Sequence, residues 1–593
     1  MELTRLLLPE LILLTGAMIL FVSAFVRTAA ARRFAAYFGM GTLVTALVVA
    51  CFQLPGADVA TLAEVPGIER VPGVDGAAEA VDGVIDGDAG DGAAALGTSF
   101  TADGSLRLNS FAYTVRIVVL FVGALLLLMH WPRGEDATGN ATTEWGQDAG
   151  EYFALLLLSL AGAILVAGSN DLMLLFLGIE LASIPTYILI SISRPLAKAQ
   201  EAGVKYFFLG AVAAALMLMG FTFIYGTYGT TDMYEIGGRM AGTVVTSPAA
   251  IATGAAGAGV GGPLSPDWVT LGAVLCVVGF AFKMAAFPLH FYAGDVYDGA
   301  STPVTAFLSF VPKTVGAIAI IKLLFALGGN GFAVGGGVLT VLAVMAAATM
   351  TIGNLLALAQ PSNVKRVLAY SSVAHSGYLL VGLASVAAGA GTEAGRAAVS
   401  AVVFYVLAYG LMTVGSFGVL QLVPRRHYLD EPELPATGAD RYVDLRGVAK
   451  HRPALGLAMA VSMFALIGIP LTVGFVGKLA LLKPAYDAGL GWLVVVALIN
   501  AAISAGYYLK IVKEMWLPDV EDDEPADHAY RPGFAPRLAV GISAVAVLLL
   551  GIAVPLMNAV LDQARVAGTV DVAANPTVLV APAVGAADVT PTR

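Results

Sequence analysis

Apolar runs of about 20 residues recur along this chain, and they leave little freedom in what it can become. Fourteen can be marked, at approximately 5–26, 35–54, 109–131, 150–168, 171–193, 200–228, 268–291, 301–327, 335–358, 364–389, 396–423, 454–484, 488–516 and 536–560. Each can carry a helix through a hydrocarbon layer roughly 30 Å thick. The predicted fold class is therefore all-α and polytopic in a membrane. Hydrophobic residues make up 58% of the 593 and charged ones only 12%, which no soluble core accommodates. The first run, LLLPELILLTGAMILFVSAF, lacks an A-x-A site near its end and reads as a retained helix rather than a cleaved signal.

The stretches between the runs set the organisation. Residues 55–107 form a glycine-rich insert with ten Asp or Glu against Arg70 and Arg107, too polar to bury a core. Residues 240–266 are rich in Gly and Ala and read as a second loose loop. The tail from Asp562 has no helical periodicity. The division that follows is 1–54 (helices one and two), 55–107 (insert), 108–149 (helix three and a loop), 150–330, 331–516, 517–560 (loop and helix fourteen) and 561–593 (tail). Loops after odd-numbered helices hold seventeen Lys or Arg and the opposite side eight. The odd loops are then cytoplasmic, and both termini and the acidic insert lie outside.

Residues 150–330 and 331–516 are two units of nearly equal length, five helices each. Both place a Ser-Asn pair between their first two helices, Ser169-Asn170 and Ser362-Asn363. Both place a lysine near a proline in their fourth, Lys283 with Pro288 and Lys478 with Pro470. Five being odd, the second unit must be inverted, which is a transporter pattern.

The chemistry lies in charges inside the runs. A lysine at the centre of a membrane helix costs roughly 2.5–3.5 kcal/mol or more. Glu180, in SNDLMLLFLGIELASIPTYILIS, is nine residues past Asp171, so roughly 13–14 Å into the layer. Lys313 is twelve past Ser301, and Lys283 is fifteen past Trp268. Lys205 opens the sixth helix, and Lys478 lies toward the outer end of the twelfth. Pro288 and Pro470 break helices at depth, which is tolerated where protein or water satisfies the freed backbone. Burial and a Glu–Lys pair pull a lysine's protonation in opposite directions, so such a row, bridged by water and His375, can pass protons. The competing reading is that each charge pairs with a neighbour to hold helices together. His375 is a relay or a partner for a nearby Ser or Tyr. His290 is a relay or a cap on the broken helix. Arg116, seven residues into the third helix, makes either an internal pair or a lateral contact. Lys322 and Lys510, near helix ends, are read as snorkelling.

Soluble chemistry is missing. There is no Walker-type loop, no dinucleotide fingerprint in a strand–helix context and no C-x-x-C. GAGVGG at 257–262 is loop. Cys51 and Cys276 sit in apolar runs and are read as small buried hydrophobes. No axial-ligand or iron–sulfur pattern is visible, and nothing points to nucleic acid.

The stretch FKMAAFPLHFYAGDVYDGASTPVTAFLSFVPK closely resembles the antiporter-like membrane subunits of NADH-quinone oxidoreductase, respiratory complex I. Within that group the details look like those of chain N: DVYDGA before TPVTAF, Pro312-Lys313, NVKRVLAYSSVAHSGYLL, and LIGIPLTVGFVGK ending in Lys478 where the sister chain M typically has a glutamate. The resemblance covers roughly 105–560. It implies fourteen helices in two inverted five-helix repeats, discontinuous helices seven and twelve, and proton translocation driven by quinone reduction elsewhere. It assigns Glu180 to the fifth-helix glutamate, Lys205 to its sixth-helix neighbour, Lys283 to the seventh, Lys313 to the eighth-helix connector and Lys478 to the twelfth. It implies NADH, FMN, iron–sulfur clusters and quinone on other subunits, with chain M, the small membrane chains and the bilayer as partners, in a bacterial cell membrane. The alternatives are a subunit of a multi-chain cation/proton antiporter and a structural membrane spacer.

Overall fold

The computed structural model describes residues 7–26, 29–53, 100–102, 105–131, 148–194, 196–240, 267–327, 335–389, 393–424, 438–517 and 533–552. Most of the acidic insert, the 240–266 loop and the tail lie outside these residues. In chain order the helices are α1 Leu8–Ser23, α2 Ala29–Phe52, α3 Ser110–Met129, α4 Ala149–Gly168, α5 Leu172–Ile192, α6 Ala197–Tyr228, α7 Met233–Met240, α8 Asp267–Lys283, α9 Ala293–Gly299, α10 Thr302–Ala326, α11 Gly335–Leu358, α12 Val364–Ala388, α13 Glu393–Leu422, α14 Tyr442–Leu445, α15 Val448–His451, α16 Pro453–Ile467, α17 Val473–Asp487, α18 Gly491–Trp516 and α19 Phe534–Ile552. Among the described residues eleven helices are long and apolar enough to cross a membrane, and α1, α8 and α16 are shorter apolar helices. Each of the fourteen apolar runs overlaps one of these. One small element escaped the sequence reading: strands β1 Phe100–Ala102 and β2 Leu106–Leu108 form an antiparallel hairpin, and Leu106 bridges to Ser169.

Burial sorts the helices into a centre and a rim. The apolar window of α10 is wholly buried and those of α12 and α13 are 94% buried, whereas α2, α6 and α18 bury a third. The most polar of the spans, α12, is among these three and so shielded from lipid. Close approach of backbones tightens this centre. A Cβ on Gly316 of α10 would lie 2.8 Å from the Phe280 carbonyl of α8, and one on Gly377 of α12 would lie 2.6 Å from the Met350 amide of α11.

The two Ser-Asn pairs occupy matching positions. Before α5, Leu172 N–H donates to Thr231 C=O at 2.9 Å and Asn170 C=O accepts from Met233 at 2.8 Å. Before α12, Val364 N–H donates to Asp440 C=O at 2.9 Å and Ser362 C=O accepts from Tyr442 at 3.0 Å. Asp171 and Asn363 then cap their helices, accepting from Met173 and Leu174, and from Arg366. A side chain that accepts the first free amides starts each helix in the same way.

Candidate proton-transfer site

Two interrupted helices place the lysines. The seventh apolar run does not stay helical to 291: α8 stops at Lys283, Ala285 turns to φ 55° and the chain re-enters a helix only at Ala293. Lys283 is therefore the last residue of α8, not the middle of a span, and its ammonium sits at the negative end of the helix dipole. Pro288 lies inside this break. The groups it frees are met by side chains: Tyr292 Oη donates to the Phe282 carbonyl at 2.8 Å, Phe287 N–H donates to Thr349 Oγ1 at 3.0 Å, and Ser376 Oγ donates to the Met284 carbonyl. In the twelfth run α16 ends at Ile467, Gly468 takes φ 89°, Leu471 takes φ 74°, and α17 starts at Val473 with Pro470 inside the gap. Lys478 reaches back from α17 and donates to the carbonyls of Leu466 and Ile467 at 2.9 and 2.8 Å. Each break thus seats one ammonium at the carbonyl end of its first half-helix.

From there the polar groups run through the buried centre. Lys283 Nζ is 3.0 Å from Glu180 Oε1 and 3.1 Å from Tyr187 Oη, with 1% of its side chain exposed against 17% for Glu180. Lys313 on α10 donates to the Ser372 carbonyl and Oγ. Pro312, directly before it, frees the Leu308 carbonyl four residues back. Tyr297 Oη donates to that carbonyl at 3.2 Å and lies 3.3 Å from Ser372 Oγ. His375, one turn past Ser371, lies between two phenols: Nδ1 is 2.6 Å from Tyr405 Oη and Nε2 is 3.0 Å from Tyr508 Oη. Tyr508 also bonds Ser371 Oγ. The Tyr409 ring is shared, 5.4 Å from the Lys313 ammonium and stacked 5.1 Å from the His375 ring. The Tyr378 ring does the same on the other side, 4.6 Å from Lys478 and 5.8 Å from His375. Lys313, His375 and Lys478 are therefore linked through the Tyr409 and Tyr378 rings along α12, and the Glu180–Lys283 pair stands beside them at the break that Ser376 of α12 bonds.

Lys205 is not among them. Its side chain is 46% exposed and pairs with Glu201 at 2.6 Å and Asp295 at 3.4 Å, because the long α6 carries it to the end of the molecule rather than the centre. Lys322 does not snorkel; it is buried, with Nζ 5.7 Å from the Phe111 ring. Lys510 reaches outward to the Pro361 carbonyl at 3.1 Å. Arg116 makes an internal pair, Nη2 to Glu10 Oε1 at 2.5 Å, both buried. His290 sits at the end of the break, where its carbonyl accepts from Ala293 N–H at 3.0 Å and opens α9. Cys276 is buried as expected, but Cys51 is exposed at the end of α2. Glu10 and the phenols of Tyr187, Tyr405, Tyr409 and Tyr508 are the residues that sequence reasoning passed over. Their signal was a hydroxyl or carboxyl in mid-run, as in LLLPELILL and FYVLAYG.

Beside this frame stands a cluster of charges at one end. Asp298 accepts from Lys198 at 2.8 Å and Asn363 at 2.9 Å, with Arg366 at 3.5 Å. Asp295 takes Arg366 at 2.7 Å. Burial alone pushes the Asp298 carboxyl up, and the Lys198 ammonium bonded to it, with Lys365 and Asn363, outweighs this and holds it below the usual range.

The sequence pattern of the family described as “NADH:quinone oxidoreductase/Mrp antiporter, TM” matches residues 169–504, the part that holds Glu180, Lys283, Lys313, His375 and Lys478. NADH-quinone oxidoreductase subunit N 1 of Sorangium cellulosum is 38% identical over 451 residues, 75% of this chain and 81% of the relative. The chain belongs to the NADH-quinone oxidoreductase subunit N family. Among solved structures, a chain of respiratory complex I from Thermus thermophilus superposes with a TM-score of 0.66 at 25% identity, covering 94% of this chain and 99% of that one. A chain of the Mrp complex from Dietzia has the same fold, TM-score 0.66, at 21% identity over 94% and 97%. The subunit N family is thus built on a fold that also serves the Mrp complex, and sequence places this chain with subunit N.

Proposed function

We propose that this chain is the N subunit of a proton-translocating NADH-quinone oxidoreductase, and that Glu180, Lys283, Lys313, His375 and Lys478 move the protons. The observation that carries the assignment is the Glu180–Lys283 pair, with Lys283 buried, in the same bundle as a row of lysines, phenols and one imidazole. A lysine at the end of a half-helix has two ways to be satisfied: as an ammonium facing Glu180, or as a neutral amine bonded to Tyr187. Loss of the Glu180 contact releases a proton into the row, and its return recharges the lysine. Lys478 is the far end, held on carbonyls beside the second break. Redox chemistry belongs to other subunits, and this chain contributes membrane charge movement. Its partners are the other membrane subunits of the complex and the bilayer of a bacterial cell membrane.

The same reading takes residues 150–330 and 331–516 as two inverted five-helix units and gives fourteen crossings with both termini outside. The matched strand-like pairings before α5 and α12, and the matched breaks after α8 and α16, support it. Lys205 then acts at the surface end, steadying the carboxylate side of the entrance through Asp295.

The test uses inverted membrane vesicles from a Glu180→Gln strain in which assembly of the complex has been verified. Quinone-dependent NADH oxidation and vesicle acidification are expected to fall together, by roughly tenfold or more, as for loss of a proton-transfer group. Wild-type values for both would overturn the assignment. Sodium-dependent proton exchange without NADH would instead identify an antiporter subunit.

A further inference from the structure

Two buried asparagines face each other inside the bundle, Asn354 on α11 and Asn500 on α18. Asn354 Nδ2 donates to Asn500 Oδ1 at 2.9 Å and to the Asn500 carbonyl at 3.3 Å. Asn500 Nδ2 donates to Thr351 Oγ1 at 3.1 Å and to the Val496 carbonyl at 3.0 Å. A backbone carbonyl only accepts, so the carbonyls of Asn500 and Val496 settle which way round each amide lies. Asn354 Oδ1 is left facing Tyr507 Oη at 2.8 Å. An amide oxygen has no hydrogen to give, so the Tyr507 hydroxyl donates here and its one hydrogen is committed.

Toward its other neighbours Tyr507 Oη is therefore an acceptor. Those neighbours are Ser371 Oγ and Tyr508 Oη, both within hydrogen-bonding reach. Ser371 and Tyr508 also bond each other, Tyr508 Oη meets His375 Nε2 at 3.0 Å, and Tyr405 Oη meets His375 Nδ1 at 2.6 Å. Each hydroxyl along this line brings a single hydrogen. With the imidazole hydrogen on Nδ1, Tyr508 must donate to Nε2, and Ser371 cannot serve Tyr508 and Tyr507 at once. One buried bond then stays unmade, which is costly. With the hydrogen on Nε2 every link is made: Tyr405 to Nδ1, Nε2 to Tyr508, Tyr508 to Ser371, Ser371 to Tyr507, Tyr507 to Asn354. Only the acceptor at Asn354 breaks the tie, since a Tyr507 free to donate would let the whole line run the other way.

We propose that Asn354, held by Asn500, is a positioning residue for His375: it polarises the hydroxyls between them and so keeps the imidazole hydrogen on Nε2. The nitrogen that carries the hydrogen is set by the bonds around the ring, as for any buried histidine. An arriving proton is then taken from the Tyr405 side on Nδ1, and the hydrogen on Nε2 leaves toward Tyr508. The ring ends neutral with its hydrogen on Nδ1. That step rests on the proposed function, whereas the position of the resting hydrogen does not.

The full chain is labelled with ¹⁵N-histidine, reconstituted in lipid and studied by solid-state NMR at about pH 8, where an ordinary imidazole is neutral. His375→Gln identifies the signal. In the unaltered chain the Nε2–H form is expected to outnumber the Nδ1–H form by roughly fivefold or more, the effect of one hydrogen bond. Tyr507→Phe keeps the ring and removes the acceptor, and is expected to bring the two forms level. Asn354→Leu, which frees the Tyr507 hydrogen, is expected to do the same. Hydrogen on Nδ1 or a charged ring in the unaltered chain, or a ratio that Tyr507→Phe leaves unmoved, overturns the proposal. If the ratio moves as expected while inverted vesicles carrying Asn354→Leu acidify at the wild-type rate, the positioning role stands and His375 is removed from the proton path.

Discussion

At Tyr508 one hydroxyl serves two partners, His375 Nε2 and Ser371 Oγ, with the side chain wholly buried. Tyr508→Phe keeps the ring in its packing and leaves both partners short of a bond, a cost of about 1–3 kcal/mol for buried groups. The expected result is a complex that assembles normally but pumps several-fold more slowly, read as acidification in inverted vesicles. Glu10 and Arg116 obey a different rule. They are buried together 2.5 Å apart, one on α1 and one on α3. Arg116→Met alone strands a carboxylate and is expected to destabilise the chain by roughly 3–5 kcal/mol, whereas Glu10→Gln with Arg116→Met recovers most of that. Thermal midpoints of the three proteins in one detergent check the order. Arg116 was legible as an expensive charge that needed an answer. Its partner was not, because a single glutamate after a proline near the start of a run looks the same as a helix-start residue.

The two broken helices show how an element can be shaped by the residues it must leave room for. At the second break, a Cβ on Gly474 of α17 would lie 1.8 Å from the Ala465 carbonyl of α16. The half-helices therefore touch backbone to backbone, and only glycine permits it. Gly474→Ala is expected to force them apart, costing about 1–3 kcal/mol and loosening Lys478 from the carbonyls of Leu466 and Ile467. A lowered unfolding midpoint together with weaker coupling would show both effects, and a change in neither would show that the break is soft. Pro288 and Pro470 advertised the interruptions in the sequence, but their positions did not give the boundaries. α8 ends five residues before Pro288, at Lys283, because Ala285 adopts a left-handed conformation and side chains from α11 and α12 take over the backbone bonds. Such tertiary satisfaction leaves no local trace, which is why Lys283 read as a mid-span residue.

Across the molecule, the end that carries Asp298 joins segments far apart in the chain. Lys198 comes from α6, Asn363 and Arg366 from the start of α12, and Asp440 nearby takes Lys365 at 3.7 Å and Arg194 at 3.8 Å. Because the Asp298 carboxyl is held below its ordinary value of 3.8, its contribution to stability is present above that pH and lost as the pH falls further. The melting midpoint of the detergent-purified chain is expected to drop more steeply below about pH 4 than that of Asp298→Asn, and parallel curves would refute the linkage. At this scale the sequence was most readable: hydropathy alone located the eleven long apolar helices and three shorter ones of the described residues, since lipid imposes a similar length on each span. It was least readable where distant segments meet, as in the hairpin at Phe100–Leu108 or the exposed placing of Lys205, for which spacing along one helix gives no information. The hydroxyls beside His375 have one more consequence. A proton that crosses such a line hops from oxygen to nitrogen to oxygen, and each O–H it uses is left facing the way it came. The line is then polarised against a second passenger until Tyr405, Tyr508 and Ser371 have all turned round. On the proposed function, the middle of the protein would then work as a turnstile more than a pipe, passing one charge and resetting before the next.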